Sequence, residues 1–86
     1  MENYTKITAE DVKQDMSSVL QGYIGPKAKI SYKKAARELE VEERTLGSWI
    51  RGEKTINLLA LIKLSLYLPT QFSLDVVKII QRYKYK

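Results

Sequence analysis

Between residues 31 and 57, SYKKAARELEVEERTLGSWIRGEKTIN concentrates side chains that bond a charged, hydrogen-bonding partner without making or breaking a covalent bond. Arg44, Thr45, Ser48 and Arg51 fall within one short stretch. Lys33 stands before them, and Lys54, Thr55 and Asn57 follow. A guanidinium bonds the O6 and N7 atoms of guanine in bidentate fashion, and a hydroxyl can serve base or backbone. A lysine meets phosphate as a point charge. Gly47 has no side chain and would let its helix lie close to the floor of a groove.

Bond-making chemistry has little to work with. The chain of 86 residues contains no histidine and no cysteine, which removes the commonest general base, the activated thiol and nearly all zinc geometries. No glycine-rich phosphate loop is present. An enzyme is not expected, and neither is a metal, a cofactor or a small-molecule ligand. The absence of cysteine fits a reducing compartment. The opening MENYTKITAEDVKQ lacks the basic start and apolar stretch of a signal peptide, so a cytoplasmic protein is expected. The longest apolar run, 58–68, is broken by Lys63 and Ser65 and stopped by Pro69, too short to span a bilayer.

The net charge of +5 makes a polyanion the expected partner. Its distribution is uneven. Lys27, Lys29, Lys33 and Lys34 give residues 24–34 four positive charges, whereas Glu38, Glu40, Glu42 and Glu43 outweigh Arg37 across residues 35–43. The four lysines fit either phosphate contact or a solvated face.

The elements that position these groups are all helical. Thr8 and Asp11 form a capping box opening a helix over 9–23, whose apolar side is Val12, Met16, Val19, Leu20 and Tyr23. Gly25 and Pro26 stop it. Ser31 caps a short helix over 32–39, and a second spans 43–51 with Gly52 at a left-handed terminus. Asn57 caps 58–68, apolar on nearly every side and so expected in the middle of the core. Val76, Ile79, Ile80 and Tyr83 mark a fifth, amphipathic helix over 73–83, whose leftover apolar residues are candidates for a dimer contact. Tyr23, Tyr67 and Tyr83 read as core or interface. One all-α domain covers 1–86, with an N-terminal arm over 1–8 and a basic tail over 84–86.

Two short helices meeting at a steep angle need a small residue at the crossing and a few apolar residues facing inward. Ala36 is the small residue, Leu39 and Val41 bracket the turn, and Leu46, Trp49 and Ile50 form the inner side of the second helix. The segment 31–52, with 58–68 after it, resembles the XRE-type helix-turn-helix of Cro and C-type phage repressors, and is similar also to CII-like phage activators. The resemblance implies a compact five-helix, lambda-repressor-like domain and a sequence-specific transcriptional regulator of double-stranded DNA. It covers 31–68 by motif and 9–83 by helix count. It departs from the family at Glu40, where glycine is usual, at Glu42, where a serine-like cap is usual, and at Tyr32, where glutamine is usual.

In such motifs the second helix lies in the major groove and the flanks hold phosphate. That implies exposure of Glu42, Glu43, Arg44, Thr45, Gly47, Ser48 and Arg51, with Arg44 the first choice for a base reader. Arg51, Lys54 and Thr55 would meet phosphate, as would amides at Asn57 and Leu58. Glu42 and Glu43 have two readings: they offset the positive end of the helix dipole, or one accepts a hydrogen bond from cytosine N4. Homodimerisation on a palindromic operator is implied, because one recognition helix offers little affinity. The competing expectation is a protein-interaction module, such as an antitoxin or antirepressor, that offers its acidic stretch or its fifth helix to a protein.

Overall fold

The capping residues decide where the chain turns helical. The computed structural model describes residues 7–84, and it contains five helices: α1 (Ala9–Gln21), α2 (Tyr32–Leu39), α3 (Glu43–Ile50), α4 (Leu58–Tyr67) and α5 (Thr70–Lys84). Residues 1–6 of the expected arm and the tail beyond Lys84 lie outside the described residues. Thr8 Oγ1 accepts from the Asp11 amide at 3.2 Å, and the Asp11 carboxylate accepts from the Thr8 amide at 3.0 Å, a complete capping box. The Lys34 amide donates to Ser31 Oγ at 3.2 Å and the Ala60 amide to Asn57 Oδ1 at 2.8 Å, each satisfying an otherwise unpaired helix-start donor.

Two helix boundaries differ from the sequence expectation by more than one residue. α1 stops at Gln21, because the amides of Gly22, Tyr23 and Ile24 turn back onto Val19 and Leu20. The chain then closes a small loop in which the Gly25 amide donates to the Ile30 carbonyl at 2.9 Å, carrying Lys27 and Lys29 on its outside. α5 begins at Thr70, three residues early. Pro69 is not a barrier to it: proline is compatible with a helix start, and its carbonyl accepts from the Phe72 amide at 2.9 Å. Those extra residues bring Phe72, fully buried, into the core, with its ring edge-on to Tyr23 at a centroid separation of 5.5 Å.

The core runs through all five helices and includes Leu20, Ala36, Leu39, Leu46, Trp49, Ile50, Leu64, Phe72 and Ile79. α1 packs on α3 and α5, and α2 on α3 and α4. Two tyrosines tie α5 to α1 and to the turn that follows α1. The Tyr23 hydroxyl donates to the Asp75 carboxylate at 2.7 Å, and the Tyr83 hydroxyl to Asp15. Burial, then the carboxylate partner, pushes each phenol up to about 12. A proton held more tightly in the folded state stabilises fully below the unfolded value near 10 and is lost as pH rises through 12. Thermal melts are therefore expected to fall between pH 10 and 12, less steeply in a Tyr23→Phe, Tyr83→Phe double variant.

α4 does not occupy the middle of the core. Ala60 and Leu64 are buried, but Leu58, Leu59, Ile62 and Leu66 face outward. The helix neighbours of α4 among the described residues are α2 and α5, so this ten-residue helix packs from the side and buries one face. Among the described residues no helix is long and apolar enough to cross a membrane.

α2 ends on the residue that most needs explanation. Glu40 has φ 57° and ψ 43°, the left-handed region, with its amide on the Arg37 carbonyl at 3.2 Å and the Val41 amide on the Ala36 carbonyl at 3.0 Å. That is a Schellman terminus, usually glycine because a Cβ costs about 1–2 kcal/mol there. The Glu40 carboxylate recovers part of this by pairing with Lys63 at 3.1 Å, a surface pair worth at most about 1 kcal/mol. Glu40→Gly is expected to stabilise the fold by about 0.5–1 kcal/mol, visible as a melting temperature raised by about 2–8 °C.

Candidate nucleic-acid interface

α3 is held from behind at its C-terminal end. The Ser17 hydroxyl, buried on α1, donates to the Ile50 carbonyl, and Gln21 Nε2 donates to the same oxygen at 3.1 Å. Gly52 follows at φ 77°, where an added Cβ would stand 3.3 Å from Gln14 Nε2 and 3.4 Å from Ser17 Cβ. The left-handed backbone favours glycine there, and a Cβ would sit tight against the end of the Gln14 side chain. The amides of Glu53 and Lys54 then fold back onto the Ser48 carbonyl at 2.8 and 3.2 Å. The inner side of α3 is Leu46, Trp49 and Ile50, all buried as expected.

The outer side is narrower than the sequence implied. Glu42, Glu43 and Arg44 are exposed and Thr45 is half-buried. Ser48 is not: it is 6% exposed, and its hydroxyl donates to the Thr45 carbonyl at 2.6 Å. A serine within a helix readily satisfies itself on the carbonyl one turn back, so this hydroxyl is not presented to a ligand. Gly47 is buried too, because the Arg51 side chain lies over it, with Nη1 2.8 Å from where a Cβ would sit.

Arg51 is therefore not a loose phosphate-seeking arm. Its Nε donates to Glu53 Oε2 at 2.9 Å and its Nη2 to Oε1 at 3.3 Å. The fork fixes the plane of the guanidinium. Arg51 in turn, by hydrogen bond and then by charge, holds the Glu53 carboxyl below the usual carboxylate range. Glu53 and Ser17 are the positioning groups that sequence reasoning passed over. Ser17 could have been found, since a hydroxyl between Met16 and Leu20 on an apolar helix face needs an internal partner. Nothing in the spacing of Glu53 separates a salt bridge from a solvated charge.

The surrounding lysines are exposed, Lys33 and Lys34 in the first turn of α2 and Lys54 after α3, as is the neutral Thr55. Arg44 makes no ion pair among the described residues, although Glu42 and Glu43 precede it. Glu42 supplies no side-chain cap, so α3 opens with amides that its cap residue leaves unbonded, beside an acidic Glu43. Asn57 is exposed but its side-chain oxygen is committed to starting α4. Among the described residues no cluster of carboxylates is arranged to hold a metal ion.

The chain matches no family model, no curated protein and no solved structure. The functional reading therefore rests on the geometry of α2, α3 and their flanks. One test of that geometry is Gly47→Ala. An alanine inside a helix is favoured over glycine by about 1 kcal/mol, but its methyl would displace the Arg51 guanidinium. The variant is expected to melt a few degrees higher and to bind duplex DNA several-fold more weakly, measured by thermal melting and by titration.

Proposed function

We propose that the chain is a sequence-specific binder of double-stranded DNA that regulates transcription, with α2 and α3 acting as a helix-turn-helix and α3 entering the major groove. The observation that carries this reading is the first turn of α3: Arg44 is exposed and unpaired among the described residues, on a helix whose other side is locked into the core. A base reader needs that combination of a free guanidinium and a rigid mount. Arg51, fixed by Glu53, adds a second oriented guanidinium, and Lys33, Lys34 and Lys54 supply phosphate contacts. Two copies on a palindromic site would present two such helices about one turn of DNA apart.

The test is selection from random duplexes at about 150 mM salt. A symmetric motif is expected, with affinity falling by a log–log salt slope of about −0.9 for each phosphate neutralised. Recovery of no motif would overturn the reading. The exposed acidic run Glu38, Glu40, Glu42 and Glu43 favours a second reading, in which the same surface binds a basic protein partner. Stoichiometric co-purification of such a partner, with no salt-dependent DNA binding, would select it.

A further inference from the structure

Glu53 occupies only one edge of the Arg51 guanidinium. Its carboxylate accepts from Nε and Nη2, the side edge. The end edge, one N–H on Nη1 and one on Nη2, has no hydrogen-bond partner among the described residues. That edge lies over Gly47, with Nη1 2.8 Å and Nη2 3.6 Å from where a Cβ would stand. Arg44, Gly47 and Arg51 are spaced by three and then four residues and so share one face of α3 and its cap. We propose that Arg51 is a second guanine reader, its end edge donating to O6 and N7, and that Glu53 is the positioning residue that makes it selective. The proposal rests on the duplex reading, with α3 in the major groove.

The other task open to Arg51 is a phosphate contact, and Glu53 counts against it. A phosphate contact strengthens binding by releasing a counterion, which takes net positive charge. Arg51 and Glu53 together are neutral, and the Glu53 carboxylate, more than half exposed, would stand beside the same phosphate and be repelled by it. A base edge carries no net charge and asks for something else, two parallel donors held in a fixed plane. The fork to Glu53 supplies that plane.

Placement agrees with orientation. Arg51 caps the C-terminal end of α3, and a helical side chain leans toward the N-terminus of its helix. The guanidinium is thereby carried back over Gly47, toward Arg44 and along the face that would lie in the groove. Gly47 gives it room, and Glu53 turns it and withholds its charge from phosphates at large. Selectivity then comes at a cost in affinity, because the same carboxylate that orients Arg51 weakens the attraction of this surface for any duplex.

Titration of the full chain with the selected duplex and with a scrambled one, at several salt concentrations, tests this. Glu53→Gln keeps the length of the side chain and removes its charge. It is expected to bind the scrambled duplex several-fold more tightly, with a log–log salt slope steeper by about 0.9, as Arg51 is released to a phosphate. The ratio of selected to scrambled affinity should fall by about 5- to 150-fold, the value of one bidentate guanine contact. Repeated selection should show the preference relaxed at one base pair, not the one that Arg44→Ala relaxes. Arg51→Lys, which keeps the charge without the fork, should relax that same base pair, and adding Glu53→Gln to it should cost no further selectivity. Both side chains are more than half exposed, so each variant should melt within a few degrees of wild type. A ratio and motif unchanged by Glu53→Gln, an equal weakening of both duplexes, or relaxation at a different base pair from Arg51→Lys would each overturn the proposal and leave the duplex reading standing. A wild-type chain that selects no motif overturns both, and that result is in hand before any variant is compared.

Discussion

Replacing Arg44 by alanine is expected to weaken binding of the selected duplex by about 5- to 150-fold and to relax the preference at one base pair. The magnitude is that of a bidentate guanidinium–guanine contact, about 1–3 kcal/mol of discrimination. Because the side chain is exposed and makes no ion pair among the described residues, the melting temperature should hardly move. Lys54→Ala supplies the contrast: it should weaken every duplex alike and lower the salt slope by about one unit. Measured side by side by titration at several salt concentrations, the two variants separate base reading from phosphate contact. If Arg44→Ala left the affinity and the preferred motif unchanged, α3 would not be the element that reads the duplex.

The positions decided by local chemistry were legible in the sequence, and those decided by neighbouring elements were not. Thr8, Ser31 and Asn57 cap where their side chains can reach an amide three residues on, a contact contained within one short segment. Leu46, Trp49 and Ile50 announce the inner side of α3 by helical spacing alone. Gly52 is left-handed as expected, and Glu40 takes the left-handed turn that the family resemblance assigns to glycine. Ser48 and Gly47 were misplaced for a different reason. Helical phase puts both toward solvent, but the Thr45 carbonyl takes the serine hydroxyl and the Arg51 side chain covers the glycine. Both events depend on rotamers, which spacing does not encode. α4 misled because apolar residues around a whole helix mean burial only when enough chain exists to cover them. Among the described residues the other helices close one side of α4 and leave Leu58, Leu59, Ile62 and Leu66 exposed.

The largest loss of stability is expected from Leu46→Ala. Leu46 is fully buried in the cluster that joins α3 to the rest of the core. A leucine-to-alanine change at such a site costs about 2–5 kcal/mol, the lost transfer energy plus the cavity left behind. A domain of this size has roughly 4–13 kcal/mol in all, so the melting temperature should fall by about 10–25 °C. α3 is where the loss falls, since a helix of eight residues without a side-chain cap has little stability of its own. Packing on Leu46, Trp49 and Ile50, and the α1 contacts to the Ile50 carbonyl, are what keep it formed. With α3 in the duplex as proposed, folding and duplex binding would be linked. A duplex at a hundred times its dissociation constant stabilises the folded state by about 2.7 kcal/mol, enough to restore much of what the variant loses. Adding the selected duplex to Leu46→Ala should therefore raise its melting temperature by several degrees more than a scrambled duplex does. Equal shifts with both would mean that α3 is not at the contact, whereas an unchanged melt in the absence of DNA would mean that Leu46 does not anchor it.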